Sequence, residues 1–380
     1  MKKRLLYVCN SLYGGGAERV LQTIVKNIDR DKFEVTVCSV LEECVDEALY
    51  PGCDVKYIFR QRASGLLSRV FLKMTNKIKL LIYKYLPPRV FYSLFVHGSY
   101  DVEVAFIEGY STRIVSGSRN SHSKKLAWLH IDISRNHWGS IAYRNKKEES
   151  VSYGRFDNVV CVSNDVLESY KKEFPKLNNG IVLYNPIDSD VIRSRSEDVI
   201  AGMERTGHFR FLSVGRLVWQ KGYDRLIPIV KQLFDKGLDL ELWILGEGEQ
   251  RSLLEGQIRA LGLNDRVKLF GYLENPYAVF KYCDAFVCSS RAEGYSTVVT
   301  ESLILGMPVV ATDCSGIREQ IGVDSEFGII TENDDSALAD GMQRMMQPDV
   351  FSYYRKAAAL RGQAFDLNKL ISEHEKLYVM

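Results

Sequence analysis

Short runs of consecutive apolar residues alternate along this chain with longer stretches in which apolar positions recur at the spacing of a helix. Leu5 to Cys9 is the first apolar run and predicts a buried strand. Ala17 to Ile28 follows with Val20, Leu21, Ile24 and Val25 on one helical face, and Phe33 to Val40 predicts a second strand. Further strands are expected at Val102 to Ile107, Lys125 to Leu129, Asn158 to Val162 and Ile181 to Tyr184, with a helix from Asn164 to Phe174. A polar stretch, Ser194 to Gly207, interrupts the pattern, which then restarts. Strands are predicted at Phe209 to Val214, Leu240 to Leu245, Val267 to Phe270, Ala285 to Cys288, Val309 to Ala311 and Gly328 to Ile330. Helices separate them after Gly222, from Gln250 to Leu261, near Tyr277 and through Glu301. Repeated strand-helix units imply mainly parallel sheets, so the fold class is α/β with two doubly wound domains. The expected boundaries are 1–190, 191–364, and a C-terminal helix within 365–380 that could cross back to the first domain.

Composition narrows the class. A chain of 380 residues, 46% hydrophobic and 26% charged with 9 prolines, suits two compact domains rather than a disordered or fibrous protein. A formal charge of +2 gives no ground for a nucleic-acid partner. The eight cysteines, Cys44 among them, are scattered and form no C-x-x-C pair, which reads as buried thiols in a reducing compartment. The basic start Met1-Lys2-Lys3-Arg4 leads into an apolar run too short for a secretory signal, and no run approaches the ~18 apolar residues of a spanning helix. The expectation is a cytoplasmic protein. One segment tilts that toward the membrane: between Arg60 and Arg89, basic residues that include Arg62, Lys73, Lys77 and Lys84 interleave with apolar ones, and no acid occurs from Val55 to Tyr100. Such a helix can lie on an anionic surface, so residues 60–95 predict peripheral attachment at the inner face of the plasma membrane. A helix pair packed on the sheet with solvated lysines is the other reading.

Candidate chemistry gathers at strand ends. The loop Asn10 to Ala17 carries Gly14, Gly15 and Gly16, which let a phosphate approach the backbone. Arg19 stands where G-x-G-x-x-G needs glycine, and no P-loop is present, so dinucleotide and P-loop chemistry lose their fingerprints. His130 ends the Lys125 strand, with His137 and Trp138 in the loop beyond as candidates for a second-substrate site. Asp188-Ser189-Asp190 follows Asn185-Pro186 and reads as a surface loop rather than a metal-holding D-x-D. In the second domain, Arg216 and Lys221 lie five positions apart after one strand and can reach one pyrophosphate. Gly246 follows the next strand and would let a nucleoside lie against the backbone. Glu293 and Glu301 stand eight positions apart, the first in a loop and the second on a helix that Ser296 or Thr297 can cap. These three loops of the second domain fall at the carboxyl ends of strands, hence on one rim of one sheet, where open α/β sheets bind ligands.

At these residues the chain resembles glycosyltransferase family 4, whose GT-B fold has two facing Rossmann-like domains and an interdomain cleft. The resemblance runs end to end, through Gly14-Gly15-Gly16, His130, Asn185-Pro186-Ile187-Asp188, the Arg216/Lys221 loop, the E-x7-E from Glu293 to Glu301, and Gly306-Met307-Pro308-Val309-Val310-Ala311-Thr312. It implies a retaining, metal-independent transfer of a hexose or N-acetylhexosamine from a nucleotide sugar, a UDP-sugar before a GDP-sugar, to a lipid-linked glycan or polysaccharide, with no cofactor. By resemblance Arg216 and Lys221 hold the diphosphate, Glu301 the ribose hydroxyls and Glu293 the donor sugar. Amides near Gly294, Tyr295, Ser296 and Thr297 would surround sugar and phosphate, His130 would position the sugar, and Gly15 and Gly16 would approach the donor. Pro186 and Tyr295-Ser296 depart from the family's common Gly and Phe-Gly, which bears on the sugar's identity. A soluble acceptor, or a silent nucleotide-sugar-binding scaffold, are the competing expectations.

Overall fold

The computed structural model describes residues 2–12, 15–42, 47–60 and 66–379, so Gly14, Cys44 and Arg62 lie outside the described residues. The chain divides into two compact units, Met1–Pro186 with Asn368–Met380, and Ile187–Leu367.

The first unit runs β1 (Lys3–Cys9), α1 (Gly16–Asn27), β2 (Phe33–Leu41), β3 (Asp54–Phe59), α2 (Leu66–Tyr85), α3 (Pro88–Phe95), β4 (Val102–Ala105), α4 (Tyr110–Val115), β5 (Lys124–Leu129), α5 (Lys146–Tyr153), β6 (Asn158–Cys161), α6 (Asn164–Glu173) and β7 (Gly180–Val182). Its seven strands form a parallel sheet ordered β3-β2-β1-β4-β5-β6-β7. Leu5 is flanked by Val35 on one side and Val102 on the other, and Leu5 through Cys9 are buried. A central strand covered on both faces must be apolar throughout, which is why this run stood out. The strand order reverses between β1 and β4, the position at which open α/β sheets place their ligands.

The second unit runs α7 (Ser189–Ser196), β8 (Phe209–Val214), α8 (Tyr223–Asp235), β9 (Leu240–Leu245), α9 (Arg251–Ala260), β10 (Val267–Gly271), α10 (Tyr277–Phe280), β11 (Ala285–Cys288), α11 (Thr297–Ile304), β12 (Val309–Thr312), α12 (Ile317–Ile321), β13 (Ile329–Thr331), α13 (Asp335–Met345) and α14 (Pro348–Gly362). Six parallel strands are ordered β10-β9-β8-β11-β12-β13, with the reversal between β8 and β11. Phe211, Leu242 and Ile244 pack under α8, α9 and α13, while Leu212, Trp243 and Leu245 pack against the opposite layer with Val299 and Leu303 of α11. The alternation along each strand fills both layers.

Two expectations are corrected here. Asp188-Ser189-Asp190 is a helix start, not a surface loop: the Asp188 carboxylate accepts from Val191 N at 3.0 Å and caps α7, whose Ile192 joins the second unit's core with Ile187. The unit boundary accordingly falls after Pro186 rather than after residue 190. A last helix, α15 (Leu367–Val379), packs on the first unit's sheet. The Tyr378 and Tyr7 hydroxyls bond at 2.7 Å, Asp29 N donates to the Glu375 carboxylate at 2.8 Å, and Lys124 Nζ donates to Leu377 O at 2.7 Å. Among the described residues no helix is long and apolar enough to cross a membrane.

Candidate functional site

In the second unit the loops after β8 and β11 flank the point where the strand order reverses, and hydrogen bonds stitch them together. Gln220 Nε2 donates to Ala292 O at 2.8 Å, Arg291 N to Gln220 O at 2.7 Å, and Ser289 Oγ to Lys221 O at 2.8 Å. The Arg225 guanidinium on α8 reaches Ser289 O at 2.6 Å and Ser290 O at 3.1 Å. Gly222 sits at φ 71°, and a Cβ there would lie 2.1 Å from Ser289 O, so only glycine permits the approach. This stitching brings Lys221 Nζ to 2.7 Å from Glu293 Oε1, which also accepts from Ser290 Oγ at 2.5 Å. Burial works against the Lys221 charge, but the Glu293 carboxylate outweighs it and holds the ammonium above its ordinary range. Both bonds land on Oε1; among the described residues Oε2 of Glu293 accepts none. The pair lines a small recess together with Ser213, Tyr223, Cys288 and Ser296.

Arg216, in the same loop, is exposed, and among the described residues its guanidinium has no partner. Glu301 is buried on α11 with its Oε1 3.4 Å from the Tyr277 hydroxyl. Ser296 occupies the cap position of α11, but its side chain makes no capping bond, contrary to the expectation for Ser296 or Thr297. The turn is held from outside instead: Gln320 Nε2 donates to Ser296 O and to Thr300 Oγ1, each at 2.7 Å. Gly294 and Tyr295 lead into this turn, where a Cβ on Gly316 (φ 80°) would lie 2.4 Å from Gly294 O. Gly246 has a packing reason of its own, since a Cβ there would lie 2.0 Å from Gly215 O.

At the first unit's rim, Gly15 precedes α1 and Gly16 begins it. His130 Nε2 donates to Phe106 O at 2.8 Å, and burial pulls its pKa down to about 4, so the ring is neutral at physiological pH with its lone pair on Nδ1. His374 on α15, stacked on Trp128, is lowered to about 4 by the same cause. Both imidazoles titrate near 6.5 when unfolded, so as pH falls the unfolded chain takes up the protons first. The first unit's stability is therefore complete above about 6.5 and declines toward pH 4, by up to about 1.4 kcal/mol per group per pH unit. Thermal melting is expected to drop between pH 7 and pH 5, less steeply in His374→Gln; an identical slope in both proteins would contradict this.

The glycosyl transferases group 1 family model matches residues 195–360, the span that holds Arg216, Lys221, Glu293 and Glu301. Over 369 residues, 95% of each chain, the sequence is 31% identical to the N-acetylgalactosamine-N,N'-diacetylbacillosaminyl-diphospho-undecaprenol 4-alpha-N-acetylgalactosaminyltransferase of Campylobacter jejuni. The chain belongs to the group 1 glycosyltransferases. Solved structures share its fold: Anabaena HepE in complex with UDP-glucose, with a TM-score of 0.76 at 21% identity and all of both chains covered, and the sucrose-phosphate synthase of Thermosynechococcus elongatus, with 0.73 at 17% over 99% and 98%. The fold of this glycosyltransferase is GT-B, each unit a Rossmann-like parallel sheet.

Sequence reasoning missed three parts of this glycosyltransferase's rims. Ser290 and Gln220 hold the Lys221/Glu293 pair in place, and their signal is only their adjacency to the charged motifs. Glu108, just after β4, is buried, and its carboxylate accepts from His130 N at 3.1 Å and from Trp138 Nε1 at 2.9 Å. Burial raises its pKa above the ordinary carboxylate value. Its signal would have been position, the first loop across the strand-order reversal. Among the described residues no group of His, Cys, Asp or Glu side chains could hold a metal ion.

Proposed function

We propose that this glycosyltransferase moves a hexose or N-acetylhexosamine from a UDP-sugar, with retention and without a metal, to a lipid-linked or polysaccharide acceptor at the cytoplasmic membrane face, as a family 4 enzyme of cell-surface glycan assembly. The observation that carries this reading is the Lys221/Glu293 pair at the second unit's strand-order reversal, with Glu293 Oε2 free to accept a donor hydroxyl. Arg216 and Lys221 supply positive charge for the diphosphate, which gains negative charge as the sugar's C1–O bond breaks. Buried Glu301 suits the ribose hydroxyls, and the amides from Gly294 to Thr297 at the start of α11 suit sugar and phosphate. An acceptor hydroxyl attacks C1 on the face that the diphosphate leaves, and the leaving phosphate oxygen takes its proton. His130, neutral and bonded through Nε2, positions the sugar through Nδ1, while Gly15 and Gly16 admit the donor. The lipid-linked acceptor follows the substrate named for the Campylobacter relative. A panel of UDP- and GDP-sugars tested for thermal stabilisation and slow hydrolysis checks the donor; no response to any would overturn the reading.

The membrane part rests on α2. Phe71, Met74, Ile78, Leu81 and Tyr85 fall on one stripe and are 49–63% exposed, with Lys73, Lys77 and Lys84 exposed beside them. The other side is anchored: Lys79 Nζ donates to Ile58 O at 2.6 Å and the Tyr83 hydroxyl to Ala142 O at 2.9 Å. An apolar stripe edged by lysines suits an interface of anionic lipid. At about 1 kcal/mol per lysine, changing Lys73, Lys77 and Lys84 to Glu is expected to weaken co-sedimentation with anionic vesicles at least a hundredfold or so. Equal weak binding of both proteins would favour a soluble acceptor.

A further inference from the structure

On the first unit's rim a buried carboxylate fixes an indole that donor binding leaves unused. The loops after β1 and β4 are tied across the strand-order reversal, since Asn10 Nδ2 donates to Glu108 O at 2.9 Å and Ser111 N donates to Asn10 Oδ1 at 3.0 Å. From that platform the Glu108 side chain turns inward and takes the Trp138 indole N–H on one oxygen and the His130 main chain on the other. The loop that bears Trp138 is pressed against the same strand end. A Cβ on Gly109, where φ is 92°, would lie 3.2 Å from Gly139 Cα and 3.6 Å from Trp138 Cζ3, and a Cβ on Gly139 would lie 3.2 Å from Gly109 N. Nothing larger than glycine fits at either position without moving the loop.

The indole is therefore held at its polar edge and by the backbone beneath it, yet it is 36% exposed, and Ile141 beside it in sequence is 68% exposed. An aromatic ring whose one polar atom is already satisfied offers a flat apolar face and little else. A pyranose has the matching shape, with C–H groups on its face and hydroxyls at its edge. Because the ring is fixed before binding, stacking on it costs little ordering of the protein. A lipid surface is the poorer occupant: a carboxylate backs this ring, whereas the lysines border the stripe on α2.

We infer that Trp138 is the stacking platform for the terminal sugar of the acceptor and that Glu108 is the positioning residue that holds it. The inference rests on the glycosyl-transfer reading above. Its test is saturation-transfer NMR of the full chain with the methyl glycosides of N-acetylglucosamine, N-acetylgalactosamine, glucose and galactose. At least one is expected to receive saturation from the wild type and none from Trp138→Leu. Glu108→Gln, whose amide nitrogen cannot accept the second N–H, is expected to weaken the response about tenfold, and Trp138→Tyr to restore part of it. In transfer assays Trp138→Leu raises the acceptor KM about tenfold and leaves the donor KM unchanged, whereas a purely structural defect would move both. Stabilisation by UDP serves as the control in every protein. Intact UDP stabilisation with no glycoside response in the wild type overturns this inference alone, and failure of every nucleotide sugar to stabilise the wild type overturns the transfer reading instead. Should Trp138→Leu not fold, Trp138→Tyr decides, since loss of the glycoside response there overturns the platform and its retention supports it.

Discussion

Lys221→Ala is expected to lower sugar transfer by about two to three orders of magnitude with the fold retained. The ammonium lies 2.7 Å from the Glu293 carboxylate beside the recess, so under the proposed function its removal takes away both a cation for the leaving diphosphate and the group that orients Glu293. Glu293→Ala is expected to fall by a similar factor, because it removes the carboxylate proposed to hold the donor sugar and leaves the Lys221 ammonium without its partner. The double variant should be little worse than either single one, as expected of groups that act as a unit. Melting curves should show a small loss, since neither residue belongs to the two core layers of the second unit. Near-normal turnover in both single variants would remove the pair from the mechanism.

Arg210→Leu is expected to have the largest effect on stability. Arg210 is buried on β8, with Nε 2.8 Å from Glu241 on β9, further bonds to Glu204 O, Tyr282 O and Thr206 Oγ1, and its guanidinium 3.8 Å over the Trp243 ring. Removing it strands the buried Glu241 carboxylate, at a cost of about 3–5 kcal/mol, a large share of the 5–15 kcal/mol that typically holds a domain folded. Arg210→Leu with Glu241→Leu removes both charges and should recover much of the loss. Urea unfolding of the two variants beside the wild type measures this. If the single variant unfolds at the wild-type midpoint, the buried pair contributes nothing.

The central strands were legible because burial on both faces demands unbroken apolar runs, as in Leu5–Cys9 and Leu240–Leu245. The strand β3 escaped notice because it is an edge strand paired only with β2, so of its residues only Ile58 is buried and no long apolar run forms. The short helices α4 and α5 were equally silent. They are fixed by distant partners, such as the buried Arg113 guanidinium 2.9 Å from Glu148, rather than by their own periodicity. Within the site, Lys221 and Glu293 could each be named from local spacing, but their pairing spans 72 positions and depends on the strand order. Glu108 lies in no motif at all; it matters through Asn10, His130 and Trp138, which only the folded sheet assembles around it.

The return of α15 to the first unit sets an order of events during synthesis. The second unit is one uninterrupted stretch, Ile187–Leu367, and has all of its residues before α15 is made. The first unit emerges earlier but waits for Tyr378 to cover Tyr7 and Phe33, and for Glu375 to hold Asp29. Domains commonly fold in the order in which they leave the ribosome. Here the second unit should reach its native state first, and a chain stalled just after residue 367 should expose an unfinished amino-terminal sheet to chaperones and proteases while the second unit is already folded.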